Sequence, residues 1–365
     1  MLAAAIYSFI VAFFVDGWSV HYFRRHGKLF SDTFEGPQKF HLNPTPRNGG
    51  LGIFLGFLVS ATYLWIFQKN NFFILLLIVN FPVFLAGLIE DLTKKVGVKA
   101  RYLASILSAF LGIYFLDIIL NRLDIPFIDN LFQYKIFAIS FTVFSVTGVS
   151  NAINIIDGFN GLASMVSIII FLGFGYVGYK IHDPLVVKIS LIMIGGIAGF
   201  FIWNYPFGKI FLGDGGAYFI GFIIGELSVY LVKNYKAVSA WFPLLLVIYP
   251  VVEVLFSIYR RRFVRKHSPF IPDALHFHTL IYRRIIPFVL NVSGNDVIRN
   301  SATSPFLWLI CSIGVIPAVL FWNNTLMLVI FSFVFCLLYV YFYRAIVRFS
   351  LLKSLNRKKF ERFRT

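Results

Sequence analysis

Long apolar stretches, each roughly 18–22 residues and nearly free of charge, alternate along this chain with short polar islands. The stretches fall near 3–22, 48–67, 72–89, 102–120, 134–150, 161–179, 185–203, 216–232, 238–258, 304–322 and 326–346. A helix needs about 20 residues to cross about 30 Å of hydrocarbon, so each run is long enough to span. Only helices and closed barrels satisfy every backbone polar group in lipid, and barrel strands would show short alternating segments instead. The pattern predicts an all-α, polytopic integral membrane protein with about eleven transmembrane helices. The first run has no basic segment ahead of it, and Arg24, Arg25 and Lys28 follow it. It reads as a retained anchor with its N-terminus outside, not as a cleaved signal.

Composition supports the class: 59% of residues are hydrophobic, 19% aromatic and 13% charged, where a soluble domain carries about a quarter charged. The net charge of +17 is informative mainly through its location. With residue 1 outside, 26 of the 33 Lys and Arg fall on inner loops and the C-terminal tail, and 7 on outer loops. That asymmetry fixes an N-out, C-in expectation. The basic residues sit at membrane edges, densest from Arg344 to Arg364, where each gains about 1 kcal/mol from anionic lipid. Nucleic acid is not implied. Cys311 and Cys336 lie in apolar runs without metal or disulfide spacing. One transmembrane catalytic unit, 1–346, and a basic cytoplasmic tail, 347–365, are expected.

The inner loops (23–47, 90–101, 151–160, 204–215 and 259–303) carry the candidate chemistry. The most informative is NAINIIDGFNGLA, residues 151–163, which places Asn151, Asn154 and Asp157 at three-residue spacing beside Gly158 and Gly161. On a helical turn these three polar residues share one face. HLNPTPRNGGLG (41–52) offers Arg47 as a fork for phosphate. IEDLTKKVGVKAR (89–101) pairs Glu90 with Asp91 and adds Lys94, Lys95, Lys99 and Arg101, one of which, Arg101, is a candidate partner for Glu90. WNYPFGKIFLGDGGAYFIG (203–221) contributes Lys209 and a glycine-flanked Asp214. The loop after the ninth run contains PDALHFHTLIYRR, with His276, His278, Arg283 and Arg284. Asp16, inside the first run, reads as a snorkelling or interhelical polar contact.

Carboxylates and carboxamides are hard oxygen ligands suited to Mg²⁺ or Mn²⁺, and surrounding cations neutralise phosphate. The combination points to phosphoryl transfer at a cytoplasmic site assembled from five loops. No P-loop is present, so nucleoside triphosphate hydrolysis is disfavoured.

TPRNGGL, GLIEDLTKK, NAINIIDGFNGLA, KIFLGDGGA and HFHTLIYRR, in that order over about residues 44–284, resemble the polyprenyl-phosphate N-acetylhexosamine-1-phosphate transferases, glycosyltransferase family 4. The resemblance implies transfer of a sugar 1-phosphate from a UDP-N-acetylhexosamine to undecaprenyl phosphate, releasing UMP, with Mg²⁺ (Mn²⁺ as the alternative), in a bacterial inner membrane. It implies Asn154 and Asp214 as metal ligands, and Asp91, Asp157 and Glu90 as catalytic residues. Arg47, Lys94, Asn151, Lys209, His276, His278 and Arg283 are then substrate-binding. Membrane lipid is a further partner, and a homodimer is admitted. Glu90 stands where the family usually has Asp, and HFHT replaces three consecutive histidines. Both departures favour the branch that initiates O-antigen-like surface polysaccharide over the muramoyl-pentapeptide phosphotransferases. A transporter is the rival class, but it predicts polar residues at mid-membrane and an inverted repeat; neither is apparent in the sequence.

Overall fold

The computed structural model describes residues 1–26, 45–264, 275–290 and 296–349. Parts of two expected loops, 27–44 and 265–274, the segment 291–295, and the tail 350–365 lie outside the described residues.

Ten helices are long and apolar enough to cross a membrane among the described residues. They are α1 (Leu2–His26), α2 (Gly49–Gln68), α3 (Phe72–Thr93), α4 (Val98–Leu116), α5 (Lys135–Ile156), α6 (Leu162–Lys180), α7 (Pro184–Asn204) and α8 (Gly213–Asn234), and, after four short helices, α13 (Asp296–Leu320) and α14 (Thr325–Val347). The short helices are α9 (Trp241–Leu246), α10 (Ile248–Tyr259), α11 (Phe277–Leu280) and α12 (Ile286–Leu290). The protein is an all-α polytopic membrane protein.

The run expected to span at 238–258 is two helices, α9 and α10, joined at Val247. Pro250 explains the break, because it has no N–H to offer the carbonyl of Leu246. Val247 N–H still reaches Pro243 O at 3.2 Å, and Val251 N–H reaches Val247 O at 3.1 Å, so the path stays helical.

Local sequence sets several ends. Asp183 caps α7, accepting from the N–H groups of Leu185 (2.7 Å) and Val186 (3.3 Å) ahead of Pro184 at the first helical position. Asn324 caps α14 through Met327 N–H at 3.1 Å. At the end opposite the site, Arg122 ion-pairs with Asp124. It also donates to the carbonyls of Val232 (3.3 Å), Tyr235 (3.1 Å) and Val238 (2.7 Å), closing the C-terminus of α8. Asp124 in turn accepts Ala240 N–H at 2.7 Å, and Ser239 N–H reaches Trp322 O at 3.1 Å. The loops at 121–124, 235–240 and 321–325 are thus tied together at one end of the bundle.

Helix α8 is the axis of the fold. Nearly all its residues are buried, and it packs against α3 and α5. Without a hydrophobic driving force in lipid, helices gain mainly from close packing. Gly50 of α2 shows how close: a Cβ there would fall 2.2 Å from the Gly216 backbone of α8. Asp16 and Glu226 are among the acids buried within the bundle. Asp16 is fully buried with its carboxylate against Gly52 of α2, an interhelical contact and not a snorkelling one. Glu226 of α8 accepts a hydrogen bond from Asn80 of α3 at 3.0 Å.

Candidate active site

The site forms where α3, α5 and α8 reach the same end of the bundle. Asp91, in the last turn of α3, is only 4% exposed. Its Oδ1 accepts Asp214 N–H and its Oδ2 accepts Gly215 N–H, both at 2.9 Å. The first amides of a helix lack intrahelical partners and carry partial positive charge. Asp91 supplies both partners from a neighbouring helix and so fixes the start of α8. Gly213 must be glycine: its φ is +77°, and a Cβ would fall 2.1 Å from Arg47 O and 2.5 Å from Asp91 Oδ2. Backbone bonds stitch the Arg47 segment to the same place. Pro46 O accepts Phe211 N–H (2.8 Å), while Gly49 and Gly50 N–H donate to Phe211 O (3.0 Å) and Leu212 O (2.8 Å).

Charges gather around this frame. Asp214 ion-pairs with Arg101 of α4 through Oδ2. Its Oδ1 accepts Asn154 Nδ2–H at 3.0 Å and lies 3.8 Å from Arg47 Nη2. Arg47 Nε lies 4.0 Å from Asp91 Oδ1. One guanidinium therefore faces two carboxylates, and the same group acts on Asp157. That residue follows the last turn of α5 and is half-buried. Desolvation pushes its carboxyl from 3.8 up to about 7, with Arg47 opposing the rise. Asn151, nearly two turns earlier, accepts from Tyr218 Oη at 3.5 Å and donates to Thr147 O at 2.8 Å.

The turn after Asp157 is gripped from α13. Asn300 Oδ1 accepts Asn160 N–H at 2.8 Å, Ser304 Oγ donates to Asn160 O at 2.6 Å, and Trp308 Nε1–H donates to Gly161 O at 3.0 Å. Asn204 Oδ1 accepts Gly161 N–H at 2.6 Å. Buried backbone groups of a non-helical turn are satisfied in this way.

The histidine motif adjoins this turn. His278 is buried, and its Nε2 lies 3.3 Å from where a Gly158 Cβ would stand. Its ring meets Phe159 edge-on and stacks on His276, with centroids 5.1 Å apart and planes at 6°. His276 Nδ1 lies 3.0 Å from Glu253 Oε1.

Comparison with known proteins identifies the family. The model of glycosyl transferase family 4 matches residues 73–232. The chain is 30% identical over 257 residues to the undecaprenyl-phosphate alpha-N-acetylglucosaminyl 1-phosphate transferase of Thermotoga maritima, covering 68% of this chain and 72% of that one. It is 27% identical over 285 residues to the probable undecaprenyl-phosphate N-acetylglucosaminyl 1-phosphate transferase of Bacillus subtilis, covering 74% and 77%. Similarity extends to the phospho-N-acetylmuramoyl-pentapeptide-transferase of Lactobacillus gasseri, 32% identical over 221 residues, covering 57% and 68%. The chain belongs to glycosyl transferase family 4.

Of the site residues expected in this family 4 member, Arg47, Asp91, Asn154, Asp157 and Asp214 converge. His276 and His278 stand beside the Asp157 turn, and Asn151 joins through Tyr218. Other expected residues are placed differently. Glu90 Oε2 accepts Val96 N–H at 2.8 Å, closing the turn after α3, so Arg101 pairs with Asp214 and not with Glu90. Lys94 is the exposed, left-handed C-cap of α3. Lys209 holds its ammonium over the rings of Trp203 (5.5 Å) and Phe207 (5.8 Å) instead of against the carboxylates. Arg283 is exposed, and Arg284 is spent on the carbonyls of Ile346 (3.0 Å) and Val347 (2.7 Å) at the end of α14. Sequence reasoning missed the tie between Arg101 and Asp214, the grip of Asn300, Ser304 and Trp308, and Glu253. Only Glu253 gave a signal, as a lone acid in an apolar run.

Among the described residues, no three His, Cys, Asp or Glu side chains are grouped to hold a metal by themselves. The donors present still fit Mg²⁺, which typically takes one or two carboxylates and completes its shell with phosphate oxygens and water. Asp214 and Asn154 provide an adjacent carboxylate and carboxamide, both carrying hard oxygens.

Proposed function

We propose that the protein transfers an N-acetylhexosamine 1-phosphate from a UDP-sugar to undecaprenyl phosphate and releases UMP. The reaction takes place at the cytoplasmic face of a bacterial inner membrane and initiates a lipid-linked surface polysaccharide. The observation that carries the reading is the convergence of three carboxylates, Asp91, Asp157 and Asp214, with the guanidinium groups of Arg47 and Arg101. Phosphoryl transfer between two anionic substrates needs charge compensation and positioning above all, and this constellation provides both.

An oxygen of the acceptor phosphate attacks the β-phosphorus of the UDP-sugar. The new P–O bond forms as the bond to the bridging oxygen breaks, and UMP leaves. Asp157 takes the remaining proton of the acceptor phosphate, a task suited to a carboxyl held at about 7. Arg47 binds phosphate oxygens with the same fork that faces Asp91 and Asp214. Asp91 fixes the start of α8, and through it Asp214, instead of meeting the lipid phosphate itself. Arg101 orients the Asp214 carboxylate. His276 and His278 border the donor diphosphate and sugar. When Mg²⁺ is bound by Asp214 and Asn154, it neutralises diphosphate charge; Mn²⁺ suits the same donors.

N-acetylglucosamine is the first donor to test, because the two relatives named for it align over 285 and 257 residues, against 221 for the pentapeptide-type relative. The test incubates the purified protein and undecaprenyl phosphate with labelled UDP-N-acetylglucosamine, UDP-N-acetylgalactosamine or UDP-N-acetylmuramoyl-pentapeptide, with and without Mg²⁺. Mg²⁺-dependent labelling of lipid by a simple UDP-N-acetylhexosamine is expected. Labelling by the pentapeptide donor alone would assign the protein to cell-wall precursor synthesis instead.

A further inference from the structure

Glu253 is a carboxylate in an otherwise apolar helix, α10, and is 1% exposed. Burying such a group is expensive unless every oxygen finds a donor. Three donors are provided, from two separate parts of the chain. Oε1 accepts Phe277 N–H at 2.9 Å and faces His276 Nδ1 at 3.0 Å, while Oε2 accepts Tyr339 Oη–H of α14 at 2.9 Å. Two of the three belong to the histidine motif, at the residue that starts α11 and the one before it. The carboxylate has no hydrogen to give in its ionised form, so at the 3.0 Å contact the hydrogen is on Nδ1.

We infer that Glu253 is the positioning residue of the histidine motif: it holds His276 with Nδ1–H directed into the bundle, leaving Nε2 as the ring nitrogen available to substrate. Two features make this more than local packing. A histidine whose Nδ1 is bound to a carboxylate is fixed in both ring orientation and tautomer. His276 in turn is the stacking platform for His278, which lies over Gly158, next to Asp157. A group in α10 therefore sets the aim of two side chains that adjoin the turn after Asp157. The inference rests on the transferase reading for what Nε2 meets, but not for how the ring is held.

The experiment combines kinetics with a direct view of the ring. Full-length protein in nanodiscs carries ¹⁵N-labelled histidine, and the His276 signals are assigned by their loss in His276→Ala. The wild type should show Nδ1 protonated, and Glu253→Gln should bring up a population with the proton on Nε2. Glu253→Gln should lower kcat/KM for the UDP-sugar about tenfold in the wild type and less than twofold in the His276→Ala background. An equal loss in both backgrounds would overturn the inference, because Glu253 would then act on the bundle as a whole. So would a wild-type His276 with Nδ1 unprotonated. If the wild type transfers no sugar phosphate, the transferase reading fails, and the ring signals alone still decide whether Glu253 holds His276.

Discussion

Asp157 is the residue whose environment makes the sharpest demand on function. Its carboxyl titrates near 7 against an ordinary value of 3.8, so the side chain is neutral in mild acid and ionised above neutrality. If it accepts the acceptor's proton, kcat/KM should fall about tenfold per pH unit below 7 and level off above it. Asp157→Asn should remove that limb together with most of the activity. The same shift predicts a stability effect of opposite benefit. Between 3.8 and about 7 the folded protein keeps a proton that the unfolded chain releases, so this group lowers stability as pH rises through that window. Asp157→Asn should therefore match the wild type in thermal unfolding near pH 4 and exceed it at pH 8. A variant that is inactive but not stabilised at pH 8 would show that the site does not destabilise the ionised carboxylate. The importance of Asp157 was legible from its place among Asn151, Asn154 and the glycines. Its perturbation was not, because that comes from burial, which only the fold creates, opposed by Arg47, more than a hundred residues away in sequence.

Among the elements, α8 and its partners were read well from apolar run length and poorly where polar residues belong to a helix. The run 48–67 became Gly49–Gln68, but the run 304–322 became Asp296–Leu320. The extra turns carry Arg299, Asn300 and Ser301, which looked like loop because they serve polar partners inside the protein: Asn300 holds Asn160 N–H, Ser301 donates to Pro206 O, and Arg299 lies over the Tyr282 ring beside Asp296. Pattern alone separates apolar from polar faces and does not say what a polar face touches. This assigns α13 a role in the site. Asn300→Ala leaves the Asn160 N–H buried and unpaired, a loss of about 1–3 kcal/mol. Thermal unfolding should shift downward and KM for the UDP-sugar should rise, with dependence on Mg²⁺ unchanged. At the start of α8, Gly213→Ala faces both a left-handed φ and a 2.1 Å clash with Arg47 O. It should reduce transfer at least tenfold, whereas alanine at Gly97, where a Cβ meets no atom within 4 Å, should not.

At the scale of the whole molecule, alternating helix direction places Arg47, Asp91, Asp157, Asp214 and His278 at one end and the Arg122–Asp124 staple at the other. From the positive-inside count we propose that the first end is cytoplasmic. With Cys311 and Cys336 replaced, a cysteine at Phe127, which is 88% exposed on the stapled end, should react with an impermeant maleimide in intact cells. One at Lys95 should react only after permeabilisation; the reverse pattern would invert the topology. The central claim, that a sugar phosphate and not a sugar alone passes to the lipid, is tested most directly by where the β-phosphorus goes. With UDP-N-acetylglucosamine labelled at the β-phosphate with ³²P and undecaprenyl phosphate as acceptor, the label should enter the lipid phase while unlabelled UMP appears in water, and Asp214→Asn should abolish both. Label remaining in the aqueous phase as UDP while the sugar enters the lipid would contradict it.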